Sequence, residues 1–147
     1  MPDGTAQESF AAMMKSVVGP ALRDLGFKGS GQTFSIPSET HHALLGFQKS
    51  VYSTSDAVRV TVNVCVVPVD VWNEVRQERT YLPAKPTPNT LYGDFAWQKR
   101  IGELMPTGED TWWDVAAGRD TAPVASEIVE AVKTFALPAM RQRLGSP

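Results

Sequence analysis

Residues 57–67 read Ala-Val-Arg-Val-Thr-Val-Asn-Val-Cys-Val-Val, with valine at every even position from Val58 to Val66. Strand side chains alternate between faces. The run therefore builds one wholly β-branched face opposite Arg59, Thr61, Asn63, Cys65 and Val67. β-Branched side chains suit a pleated surface and resist helix. A strand with one apolar and one polar face belongs in a sheet that packs another layer on one side.

Two segments can supply that layer. Phe10, Met13, Met14, Val17, Val18, Ala21, Leu22 and Leu25 recur with helical spacing. Thr5 and Glu8 fit a capping box ahead of them. Pro20 lies inside the stripe without breaking its phase, which predicts one kinked helix. Gly26 can end it in a left-handed conformation. Near the other end, Thr121 with Pro123 marks a helix start. Val124, Ile128, Val132 and Phe135 form its stripe, and Pro138 kinks or splits it.

Between the helices lie further strands. Gln32–Pro37 is short, and His42–Tyr52 is longer. Ser53–Asp56 has turn composition, so His42–Tyr52 and Ala57–Val67 should pair antiparallel. Asp70 is placed to cap a short helix, Val71–Arg79, with extension of the strand through Val67, Val69 and Val71 as the alternative. Thr80–Asp94 carries Pro83, Pro86, Pro88 and Gly93, the composition of an irregular, mobile loop or lid. Phe95–Met105 is expected as a strand with Phe95, Trp97 and Ile101 on one face. A turn at Pro106–Asp110 leads to a short strand, Trp112–Val115. The expectation is an α+β fold: an antiparallel sheet of about five strands with N- and C-terminal helices packed on it.

A chain of 147 residues fits a single domain over 1–147. At that length a compact fold buries roughly 68–70% of its unfolded surface, so one real core is expected. The net charge of −2 and scattered Lys and Arg argue against a nucleic-acid partner. Cys65 is the only cysteine, which suits a reducing, cytoplasmic compartment. The opening residues lack a basic start and an apolar stretch, so no signal peptide is expected. No apolar run is long enough to span a membrane.

The segment Arg100-Ile-Gly-Glu-Leu-Met-Pro-Thr-Gly-Glu-Asp-Thr-Trp-Trp113 resembles the signature of a bacterial domain-of-unknown-function family, numbered 4304. Leu25-Gly26-Phe27 with Gln32-Thr33-Phe34 is similar to another part of that pattern. So is Gly46-Phe47-Gln48-Lys49-Ser50 with Val62-Asn63-Val64. The resemblance covers about residues 8–140, with no counterpart for the loop at 80–94. It implies no reaction, cofactor or catalytic residue.

Candidate chemistry is sparse. His41 and His42 point to opposite faces of a strand, and no metal-ligand spacing accompanies them. Cys65 has no base beside it in sequence and reads as a small, partly buried thiol. Glu103, Glu109 and Asp110 are close in sequence, but a strand-turn-strand would spread them over solvent; Asp110 suits a turn cap before Trp112. No phosphate loop, GxGxxG or GxSxG occurs, so neither cofactor nor metal is expected.

The polar strand residues are more informative. Gln48, Arg59, Thr61, Asn63, Gln98 and Arg100 share one sheet face if their strands are neighbours. That face is solvated, or paired internally through Arg100 with Asp110 or Glu103, or it meets a ligand or partner. Trp112 and Trp113 should point to opposite sides, one buried and one beside the polar face. The expected function is a non-enzymatic protein- or ligand-recognition module, in one version immunity-type. Its binding residues would be Gln48, Arg59, Asn63, Gln98, Arg100, Trp112 and Trp113, rimmed by Tyr52 and the Pro-rich loop. The alternative is a hydrolase-like enzyme using the same groove.

Overall fold

The computed structural model of the chain describes residues 4–145. The expectation of no signal peptide rests in part on residues 1–3, which lie outside the described residues. The fold is α+β, an antiparallel sheet with helices at both ends of the chain.

The N-terminal helix runs over 6–24, and Thr5 and Glu8 close the capping box ahead of it. It is continuous: Ala6–Met13 is α-helical, Met14–Val18 is a π-turn and Gly19–Asp24 is α-helical again. The Gly19 N–H reaches back to the Met14 carbonyl. The widened turn makes room for the ring of Pro20, which has no N–H to give. The expected kink therefore takes the form of a π-turn. The C-terminal helix repeats the device, with Ala122–Ala131, a π-turn at Val132–Ala136, and Leu137–Arg143 carrying Pro138.

The strands are β1 (Lys28–Ser30), β2 (Thr33–Ser35), β3 (His41–Lys49), β4 (Ala57–Pro68), β5 (Trp97–Arg100) and β6 (Trp113–Ala116). Their order is β1-β2-β3-β4-β5, with β6 also on β4. β5 pairs with Asn63–Val66 and β6 with Ala57–Val60. They lie end to end along one side of β4. The chain leaves that line after Arg100, makes an excursion over 101–112, and rejoins it at Trp113.

Several expected boundaries are corrected. β1 was not foreseen, because its three residues are exposed and carry no apolar alternation. Phe95–Met105 is not one strand: β5 stops at Arg100 and Ile101–Leu104 turns helical. The Glu103 carboxylate accepts the Arg100 N–H at 2.8 Å, which caps that turn. Phe95 precedes β5 and packs on Trp72, away from the side Trp97 joins. The middle helix is Val69–Glu78, with Pro68 rather than Asp70 at its N-cap; Asp70 lies in its first turn. The last strand begins at Trp113, not Trp112.

Val58, Val60, Val62, Val64 and Val66 are all buried, under a layer that includes Phe10, Met14, Val18, Leu22, Ile128, Val132 and Met140. The opposite face carries its apolar cover at one end. There the helix Val69–Glu78 and the following loop bury Cys65, Val67, Trp72, Leu82 and Ala96 in a second, smaller cluster. Among the described residues no helix is long and apolar enough to cross a membrane.

Candidate functional site

Beside the smaller cluster, the sheet face opens into a cleft of about 500 Å³. Register places Gln48 opposite Thr61, Gly46 and Arg100 opposite Asn63, and Gln98 opposite Cys65. Strand alternation thus brings Gln48, Asn63, Gln98 and Arg100 onto one floor, and all of them line the cleft.

One wall is the loop. Trp72 fixes its start, its indole N–H donating to the carbonyls of Pro83 (3.2 Å) and Ala84 (3.1 Å). Leu82, Pro86 and Pro88 are buried. Pro88 and Asn89 then settle directly over Gly46, where any Cβ would overlap the proline ring. Asn89 is clamped from both sides. It accepts from Asn63 Nδ2 at 2.9 Å and donates to the Phe47 carbonyl at 3.3 Å. Gln98 holds the far end, donating to the Thr90 carbonyl and accepting from Tyr92 N–H. The segment is irregular as expected, but it is a docked wall rather than a loose lid. Leu91 stands on its rim, 88% exposed.

The other wall is the excursion, folded against Gly102, whose missing Cβ leaves room for the Glu109 carbonyl. Arg100 joins this wall to the floor. Its Nε donates to Asn63 Oδ1 (3.2 Å), its Nη2 to Gln48 Oε1 (3.4 Å) and its Nη1 to Asp110 Oδ2 (3.3 Å). Trp112 lies against the guanidinium, with its ring centre 5.2 Å away, and its indole N–H donates to the same Asp110 oxygen at 2.8 Å. Glu103 and Asp110 both line the cleft. Both are solvent-exposed as expected, but they share one site, because Arg100 gathers one through its backbone and the other through its side chain. Glu109 stays outside.

The remaining predicted residues lie elsewhere. Arg59 is on the same face but farther along β4, 3.6 Å from Asp114 in an exposed ion pair. Thr61 is buried and donates to the Thr111 carbonyl at 2.7 Å. Tyr52 is exposed at the β3–β4 turn and does not line the cleft. Trp113 is 8% exposed and belongs to the valine-face core. Trp112 touches the cleft only through Arg100 and Asp110.

The Pro-rich loop does rim the cleft as expected, but Pro88, Asn89 and Leu91 within it, and Lys99 outside it, were not singled out. A glycine inside an otherwise apolar strand, Gly46, was the available signal, since it marks close approach by another segment.

Groups with displaced protonation sit away from the cleft. Burial pushes the Cys65 thiol up to about 12, which suppresses the thiolate a nucleophile requires. Burial, and secondarily the charge of Lys85, lowers the His42 pKa. Among the described residues no cluster of His, Cys, Asp and Glu could hold a metal. No buried side-chain polar atom among them lacks a partner. The floor side chains are tied to one another through Asn63, Gln48 and Arg100, while Gln48 and Arg100 stay only half-buried.

No curated protein and no solved structure matches the chain. The segments Arg100-Ile101-Gly102 and Asp110-Thr111-Trp112-Trp113 are the two ends of one edge excursion that walls the cleft, and the chain carrying them belongs to the family described as Domain of unknown function (DUF4304), whose model matches residues 18–142.

Proposed function

We propose that the chain is a non-enzymatic recognition module that seats part of a protein partner in this cleft. The carrying observation is the cleft itself, whose polar floor of Gln48, Asn63, Gln98 and Arg100 is edged by the exposed apolar side chain of Leu91. Leaving Leu91 in water forgoes roughly 1.5–3 kcal/mol of burial, which a partner can recover. The floor supports the same reading: its amides and guanidinium are already tied together, so little ordering cost remains on binding. In a bacterial cytoplasm such a module would neutralise or regulate its partner, as an immunity-type protein does. The lone, unpaired Cys65 supports a reducing compartment.

Hydrolytic chemistry in the cleft is the competing reading, because Glu103 and Asp110 both face it. Each is engaged by Arg100, which favours a structural use.

Affinity capture from the native host tests the proposal. Wild type should retain one stoichiometric protein. Leu91→Asp should weaken that capture at least tenfold while changing stability by no more than about 0.5 kcal/mol, as for a surface change. A small molecule that co-purifies and is lost with Arg100→Ala would support the enzyme instead.

A further inference from the structure

The outer edge of β5 carries the recognition reading further. Ladder parity shows which backbone groups are open there. The Ser50 N–H donates to the Arg59 carbonyl at 2.7 Å. In the β3–β4 register this turns the backbone groups of Asn63 and Cys65 toward β3, and those of Val64 and Val66 toward β5. Their partners Lys99 and Trp97 therefore bond to β4, and Gln98 presents its N–H and C=O outward. Arg100 obeys the same parity, because its N–H points away from β4 to Glu103. The Gln98 backbone groups have no loop or turn partner among the described residues.

A second cleft, of about 560 Å³, lies across β5 from the first. It is lined by His41, Val66, Asp94, Trp97 and Arg143, and it shares Leu91, Gln98 and Lys99 with the first cleft. The two hollows thus flank one open strand edge. A chain added to that edge sends alternate side chains to opposite faces, one set into each hollow.

Charge selects the occupant. The ion pairs among the described residues are Arg59–Asp114 and Arg100–Asp110. Lys99 and Arg143 therefore enter the second cleft without an ion-pair partner, and Asp94 is its only acidic lining residue. The Arg143 guanidinium lies over the Trp97 ring at 5.4 Å, held at the mouth. A second copy pairing β5 to β5 would bring Lys99 and Arg143 against their own like charges. We infer that β5 accepts an extended segment of a partner protein as an added strand, with an Asp or Glu side chain directed into the cleft of Lys99 and Arg143. The inference rests on the recognition reading above.

The probe is a displayed library of random octapeptides selected on the full chain, followed by synthesis of the best binder. Recovered peptides should carry Asp or Glu at a fixed place in an alternating pattern. N-methylation of the peptide should cost at least tenfold at the residue facing Gln98 and little at its neighbours. The double variant Lys99→Glu/Arg143→Glu should lose at least tenfold, and Lys99→Arg/Arg143→Lys should retain binding. An unchanged thermal transition of the double variant confirms that it is folded. Failure to recover any binder overturns the inference, as does binding indifferent to both N-methylation and charge reversal. So does β5-dependent self-association of the chain. A binder lost with Leu91→Asp but indifferent to N-methylation overturns strand addition while the cleft reading stands. A binder indifferent to Leu91→Asp as well removes both.

Discussion

Trp113 pairs in register with Val60 and enters the valine-face core, whereas Trp112 stays half-buried against Arg100. Alternation required them to part, and the indole N–H of Trp112 shows why it takes the polar side: Asp110 is there to accept it. Trp113→Ala should cost about 3–5 kcal/mol, the range for emptying a large aromatic site. Trp112→Ala should cost about 1 kcal/mol, the size of an exposed cation–aromatic contact. Urea titration of the two variants measures both. Gly46 makes the same point for the loop. Gly46→Ala should push Pro88 and Asn89 off the floor at about 1–3 kcal/mol, the usual cost of overpacking. Hydrogen exchange at 87–92 should accelerate while β3 and β4 stay protected. The site was legible at this scale wherever strand parity governed it. Gln48, Asn63, Gln98 and Arg100 share a floor because period-two alternation leaves no other arrangement once the strands are neighbours. Pro88, Asn89 and Leu91 were not legible, since their place depends on a docking between segments far apart in sequence.

At the scale of elements, the two long helices share a pattern that follows from their prolines. Phe10, Met14, Val18 and Leu22 are buried at steps of four, and so are Ile128, Val132, Ala136 and Met140. Steps of four on a regular α-helix drift by about 40° each, so the apolar stripe would wind off the sheet. One π-turn per helix absorbs the drift and spares the proline ring. It also explains Val17, which α-helical spacing assigns to the buried stripe but which is 44% exposed. Deleting Val17 alone should return the turn to α-geometry with Pro20 still inside it, costing about 3 kcal/mol. Combining the deletion with Pro20→Ala should recover most of that loss, so a thermal-denaturation cycle should show strong coupling. The helices and β4 were legible because each has a long period-matched stripe. The break between β5 and β6 was not, because Phe95–Met105 carries enough alternation to pass for one strand. Only the Glu103 carboxylate capping Arg100 ends it.

For the whole molecule, the sheet separates two cores of unequal size, and the walls of the cleft belong to different ones. The smaller core is centred on Trp72, which is fully buried. Its ring lies 4.9 Å from Tyr92, 6.1 Å from Phe95 and 6.5 Å from His42. The Pro-rich wall hangs from this cluster, so the wall should be able to open without the helices leaving the valine face. Acid gives a specific way to open it. The His42 pKa is lowered in the fold, first by burial and then by Lys85, so the native state binds fewer protons than the unfolded chain as pH falls below about 6.5. The stability this neutral imidazole contributes is complete above that value. It declines as pH falls toward the folded pKa and is lost below it. Between pH 7 and pH 5, protection factors, corrected for the slower intrinsic exchange at lower pH, should therefore fall more steeply over 69–96 than over β3, β4 and the terminal helices. His42→Gln should flatten that dependence, because it removes the titrating group. Trp72→Ala should raise exchange over the same residues at every pH, at a cost of about 3–5 kcal/mol. If acid instead lowers the protection factors evenly across both cores, the two faces unfold as one unit, and the Pro-rich wall is as permanent as the sheet beneath it.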